Sequence, residues 1–184
     1  MVERGMFRYH FLDGLRLERL HEEGHDSYNE STLASGPADE IVKGRLIEVS
    51  FLGSNKSPQV SLFGKLPFYY NYFLGADERK WASKANAYEG IVYHNLYDDI
   101  DLKVYSQDDH VKYDWIIKPG ADAGHIKIQY RGGDRVQIED GNVQIETPLV
   151  KITEMRPVAF QWIDGLQKFV KCNYTLRGNI VSFE

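Results

Sequence analysis

From residue 88 to residue 183, apolar and polar side chains alternate in short runs, and the joints between runs admit only tight turns. Asp140-Gly141 separates the run 136–139 from the run 142–146, and Asp164-Gly165 separates two further runs. Both pairs tolerate the positive φ angles of a type I′ turn, so each marks a β-hairpin. Gly132-Gly133 and Arg177-Gly178-Asn179 are punctuation of the same kind. Strands are expected at 88–94, 100–106, 110–118, 125–130, 135–139, 142–146, 149–155, 157–163, 168–176 and 179–183. A parallel pair needs a long crossover connection, and these joints are too short for one, so the pairing is expected to be antiparallel. The fold class that follows is all-β: an antiparallel β-sandwich of two packed sheets, with one short N-terminal helix.

The first forty residues have a different texture. Met6–Leu12 alternates aromatic and polar side chains as a strand would. Asp13 is suited to cap a short helix running to Glu23, with Leu17 and Leu20 three apart and Gly24 ending it. Residues 25–40 are polar, carry Gly and Pro, and have almost no apolar anchors, which predicts a mobile loop. Regular alternation starts again at Arg45–Leu52. The expected organisation is therefore 1–24, strand and helix; 25–40, loop; and 41–184, the β-sandwich domain. Hydrophobic residues are 42% of the 184, enough for a core, and aromatics are 13%, a bias toward strands.

Charge and composition exclude several roles. A net charge of −5 argues against a nucleic-acid platform, which shows a basic face. No apolar run approaches the roughly 18 residues of a membrane-spanning helix, so no membrane insertion is expected. The sequence Met1–Gly5 has no apolar signal core, although a chain trimmed of its signal would look the same. Cys172 is the single cysteine, which excludes an internal disulfide. It sits in an alternating apolar run and reads as a small core residue.

Three constellations are candidates for chemistry. His21-Glu22-Glu23-Gly24-His25 is a literal H-E-x-x-H, the pattern in which two histidines one helical turn apart bind zinc and the glutamate polarises a metal-bound water. On that reading His21 and His25 are the zinc ligands and Glu22 the catalytic base of a hydrolase. The flank Arg16–Leu20 is charged, Gly24 stands where the helix must continue, and Tyr28 occupies the glycine position of the extended motif. A helix end with solvated histidines accounts for the same letters.

Asp98, Asp99 and Asp101, with Asp108 and Asp109 nearby, form an acidic cluster. Calcium takes roughly six to eight oxygens, and aspartates on adjacent loops supply several. No EF-hand spacing is present, and a solvated acidic edge that discourages sheet-to-sheet association explains the cluster more simply. The third candidate is the stretch 63–87, expected to be a long loop, in which Phe68, Tyr69, Tyr70, Tyr72, Phe73 and Trp81 crowd together. Tyr69, Tyr72 and Trp81, with Asn71, Asp77 and Lys80, are the candidate ligand-binding set for a carbohydrate, because aromatic faces stack on sugar rings. The alternative is that these rings cover one end of the sandwich.

The same stretch carries a resemblance. Asn71-Tyr-Phe-Leu-Gly-Ala-Asp, followed by Lys80-Trp81, resembles the N-Y-F-x-G-x-D-x-x-K-W signature of a bacterial domain of unknown function. That domain occurs near the N-terminus of large secreted proteins with SBBP (β-propeller-type) repeats, and in proteins with the gliding-motility-associated C-terminal sorting domain. Further pieces follow in the family's order. They are Val92–Tyr97, Ile100–Tyr105, Val111–Asp122, Ile126–Gly132, Arg156–Gln161 and Gly178–Glu184. The chain departs from the family at Asp98-Asp99, where relatives carry Pro-Gly, and relatives have more β-structure ahead of Phe7–Leu12. The resemblance thus implies a trimmed domain that lacks a strand supplied by another segment or copy.

What the resemblance implies about function is a secreted or cell-surface, adhesin-like setting, and it supplies no established catalytic residues. The expected role is a non-catalytic module acting in assembly or partner binding. Its partners are then other domains of the parent surface protein or cell-surface components, with carbohydrate as the alternative ligand. An unpaired strand edge also makes a homodimer an expected option. No cofactor is expected beyond the calcium and zinc alternatives above.

Overall fold

The computed structural model describes residues 2–3, 6–13, 43–73, 75–108 and 110–184. The helix expected to run from Asp13 to Glu23, the loop 25–40 and the H-E-x-x-H histidines lie, Asp13 apart, outside the described residues. The described chain is all-β and sandwich-like, every strand pair is antiparallel, and no sheet closes into a barrel. It divides into two compact units: Met1–Leu52 with Lys127–Glu184, and Gly53–Ile126.

The first unit is built from β1 (Val2–Glu3), β2 (Met6–Leu12), β3 (Gly44–Phe51), β8 (Ile128–Arg131), β9 (Arg135–Glu139), β10 (Asn142–Glu146), β11 (Lys151–Glu154), β12 (Ala159–Ile163), β13 (Leu166–Val170), β14 (Tyr174–Arg177) and β15 (Ile180–Phe183). Six of these form one sheet in the order β1-β2-β3-β8-β15-β14, three form a second in the order β11-β10-β9, and β12-β13 stands as a two-stranded sheet. The period-2 reading of Arg45–Leu52 holds over the second half of β3. Ile47, Val49 and Phe51 are buried, while Glu48 and Ser50 between them are only partly covered. Phe7 meets Phe51 edge-on at 5.1 Å, and Arg8 bonds Glu48 across the strand pair at 2.9 Å. Among the described residues, Ile128, Tyr130, Val143, Ile145 and Val181 are the other buried apolar side chains of this unit. The single run expected over 168–176 is two strands, β13 and β14, that join different sheets.

The second unit is a four-stranded meander of β4 (Gln59–Tyr72), β5 (Ala82–Tyr97), β6 (Ile100–Gln107) and β7 (His110–Ile117), in that order. Here the sequence reading needs its main correction. The stretch 63–87, expected to be a long loop, is mostly paired strand: Phe63 faces Gly90, Lys65 faces Tyr88, Tyr69 faces Asn86 and Tyr72 faces Ala82. Gly64 and Pro67 interrupt the pattern without breaking the hairpin, because irregularities absorb them. The register shifts between Lys65 and Tyr69, and again between Tyr70 and Tyr72. At the second shift Lys84 takes a φ of 56°, and the Asn71 side-chain oxygen accepts its backbone N–H at 2.9 Å. Gly90 is needed for close approach, since the Phe63 ring and the Val104 carbonyl occupy the place of a side chain there.

Candidate functional site

The distal part of the β4–β5 hairpin leaves its aromatic side chains in water. Phe68, Tyr69, Tyr70, Tyr72 and Phe73 are 47–59% exposed, and Trp81 is 39% exposed. The expected capping of a sandwich end by these rings is therefore not what the described structure has. Alternation along β4 gives the rings an order. Phe68, Tyr70 and Tyr72 share one face, with Phe68 edge-on to Tyr70 at 5.6 Å and Tyr70 tilted against Tyr72 at 6.3 Å. Tyr69, an odd number of residues away, belongs to the opposite face.

The tip beyond Tyr72 is tied down by local bonds. A short 3-10 turn, Glu78–Lys80, is capped by Asp77, whose carboxylate accepts the Arg79 backbone N–H at 3.2 Å. The same carboxylate takes two bonds from the Arg79 guanidinium, at 2.9 and 3.1 Å. Those bonds hold the Asp77 carboxyl below its ordinary pKa. The Trp81 indole N–H donates to the Gly75 carbonyl at 3.0 Å, and the ring lies edge-on to Phe73 at 5.4 Å. Trp81 is thus fixed at its polar edge and open over part of its surface.

The candidate carbohydrate set is only partly assembled. Tyr69 and Tyr72 stand on opposite faces of the strand, so they offer no common platform. The Asn71 oxygen is engaged by Lys84 and the Asp77 carboxylate by Arg79. On the face that does carry three rings, neighbouring planes are inclined by 90° and 41°. Rings at such angles suit edges and side chains that interdigitate, and a flat chain of sugars needs faces turned the same way.

The acidic cluster is likewise rearranged by the fold. Asp98 and Asp99 make the turn between β5 and β6, with Asp99 at a φ of 57°, a conformation for which Pro-Gly is well suited. The Lys118 ammonium lies 3.6 Å from Asp99 and 4.0 Å from Asp101. Asp101 is not a solvated member of that acidic edge. Its side chain is 14% exposed, bonded to the Asn95 backbone N–H at 2.7 Å and to His94 at 3.2 Å. Among the described residues no three His, Cys, Asp or Glu side chains are grouped to hold a metal ion. Asp108 follows β6, with a φ of 50°. Burial pushes the Cys172 thiol pKa up, which disfavours the thiolate.

Among the described residues no helix is long and apolar enough to cross a membrane. Searches of curated proteins and of solved structures gave no match. A family model described as a domain of unknown function, DUF7948, matches residues 1–184, and the chain belongs to that family.

Proposed function

We propose that this chain is an interaction module of a secreted bacterial cell-surface, adhesin-like protein, and that the aromatic β4–β5 hairpin docks on another domain of that parent protein. The observation that carries the reading is the strip Phe68-Tyr70-Tyr72, continued around the tip by Phe73 and Trp81, all open to water. Exposed apolar area of this kind on a paired strand marks an interaction site. Tyr and Trp rings with one polar edge are the side chains that anchor protein interfaces. The secreted, surface-protein setting is supported by the resemblance of the Asn71–Trp81 signature and of the segments that follow it.

A protein partner is favoured over a glycan by the inclined rings and by the prior engagement of Asn71 and Asp77. Hydroxyl-radical footprinting of Tyr70 and Tyr72 tests this, comparing the chain alone with the parent protein that contains it. Several-fold slower modification in the parent is expected. Equal modification in both overturns the docking reading. In a variant retaining only Trp81, emission that changes with a glycan overturns it too and moves the site to carbohydrate.

A further inference from the structure

Away from the hairpin tip, three neighbouring strands of the second unit bring together a serine, a histidine and an aspartate. Ser61 lies on β4, His94 on β5 and Asp101 on β6. In the ladder Gln59 faces His94 and Ser61 faces Val92, so Ser61 and His94 are diagonal neighbours. The irregularity between Tyr93 and Tyr97, where Asn95 takes a φ of 48°, brings the Asn95 N–H onto the Asp101 carboxylate at the start of β6. The Ser61 hydroxyl oxygen is 2.7 Å from His94 Nε2, and His94 Nδ1 is 3.2 Å from the Asp101 carboxylate.

The order of atoms sets the protons. An ionised carboxylate only accepts, so the neutral imidazole carries its proton on Nδ1 and donates it to Asp101. Nε2 then keeps a lone pair, and the Ser61 O–H donates to it. Burial works to raise the Asp101 pKa, but the Asn95 N–H, His94 and Lys118 outweigh it and hold the carboxyl below its ordinary value, which keeps it ionised. Exposure is graded in the useful direction: Ser61 is open, the His94 side chain is 36% exposed and that of Asp101 14%. This is the hydrogen-bond polarity of a serine nucleophile with its base and orienting acid, a constellation recognised by geometry and not by chain order. β4 is an edge of its sheet, so no described strand pairs the alternate backbone N–H groups along its outer side. An oxyanion forming at Ser61 would draw its donors from that outer side.

We infer that Ser61 is an activated nucleophile toward activated carboxylic esters, with His94 as its general base and Asp101 as the residue that positions His94. In the first step the Ser61 oxygen bonds to the carbonyl carbon and its proton passes to His94 Nε2. The bond to the leaving alcohol breaks, and the alcohol departs with that proton. Water then attacks the acyl-serine, giving one proton to His94, which returns it to the Ser61 oxygen as the carboxylic acid is released. No oxidant, reductant or metal enters. The site shares no residue with the docking surface, so either reading stands or falls alone.

The test uses the whole folded chain with a fluorophosphonate, which traps nucleophilic serines, and p-nitrophenyl acetate as the ester. One label per chain is expected, on Ser61, and none in Ser61→Ala. General-base assistance is worth on the order of a hundredfold or more, so His94→Ala is expected to label at least about a hundred times more slowly. Asp101→Asn is expected to slow labelling with little change in melting temperature, which separates positioning from folding. Labelling of another residue, no labelling of the folded chain, or equal rates in the unaltered and His94→Ala chains overturns the inference.

Discussion

Two hairpins of the first unit are almost the same object locally and opposite in their fate. β9–β10 and β12–β13 each pair five residues with five around an Asp-Gly turn. The turn angles match as well: φ is 50° and 78° at Asp140-Gly141, and 52° and 76° at Asp164-Gly165. Yet Val143 and Ile145 on β10 are fully buried, while Trp162, Leu166 and Phe169 are 66–73% exposed. What separates them is company. β10 has β11 on its other side, and β9 has β14 beside it, whereas among the described residues β12 pairs only with β13. Turn chemistry makes a hairpin, but only a third strand and a facing sheet bury it.

That contrast can be pressed from its strong end to its weak end. Ile145→Ala removes methyl groups from a fully buried site, and is expected to cost about 2–5 kcal/mol by urea denaturation. A cost under about 1 kcal/mol would mean the β10 face is not core.

The next effect is pH. Burial, then the charge of Glu154 on β11, pushes the Tyr9 phenol up to about 12 from 10.0. A folded pKa above the unfolded one means the native state holds the proton more tightly. Stability is therefore intact below pH 10 and is lost as pH rises through about 12. The loss is expected to reach at most about 3 kcal/mol, and Glu154→Gln should reduce it. A stability curve flat from pH 9 to 12 would remove the effect.

Gly141→Ala and Gly165→Ala then sharpen the comparison, because alanine at positive φ costs about 1 kcal/mol at either turn. At Gly141 the cost should appear in the global unfolding midpoint. At Gly165 it should appear as faster amide exchange across 159–170, with the midpoint little moved. The smallest change is expected for Phe169→Ser, within about 0.5 kcal/mol, since its ring is already in water. A midpoint loss as large as that of Ile145→Ala would show that β12–β13 has a covered face after all.

How far these features are legible in the sequence varies by element. The alternation of Arg45–Leu52 and the two Asp-Gly turns were legible, because period and turn angles depend on a few adjacent residues. The stretch 63–87 was not. Gly64, Pro67 and the polar residues near Asn71 signal a loop, and the bulges that reconcile them with pairing involve Tyr88, Asn86 and Lys84 on the other strand. The aromatic residues of the candidate docking site were visible as letters, but their division between faces needed the register. The array at Ser61 left no trace in the sequence. Its members lie 33 and 7 positions apart along the chain, and no spacing rule connects them.

By itself, then, the sequence determined that this chain forms antiparallel strands and where the tightest of its turns fall, because φ preferences and side-chain alternation act within a few residues. Only the tertiary structure decided which hairpin is buried, which rings stay in water and which polar groups meet. Each of those outcomes depends on a strand from elsewhere in the chain arriving in one register, and a shift of a single residue turns every side chain to the other face.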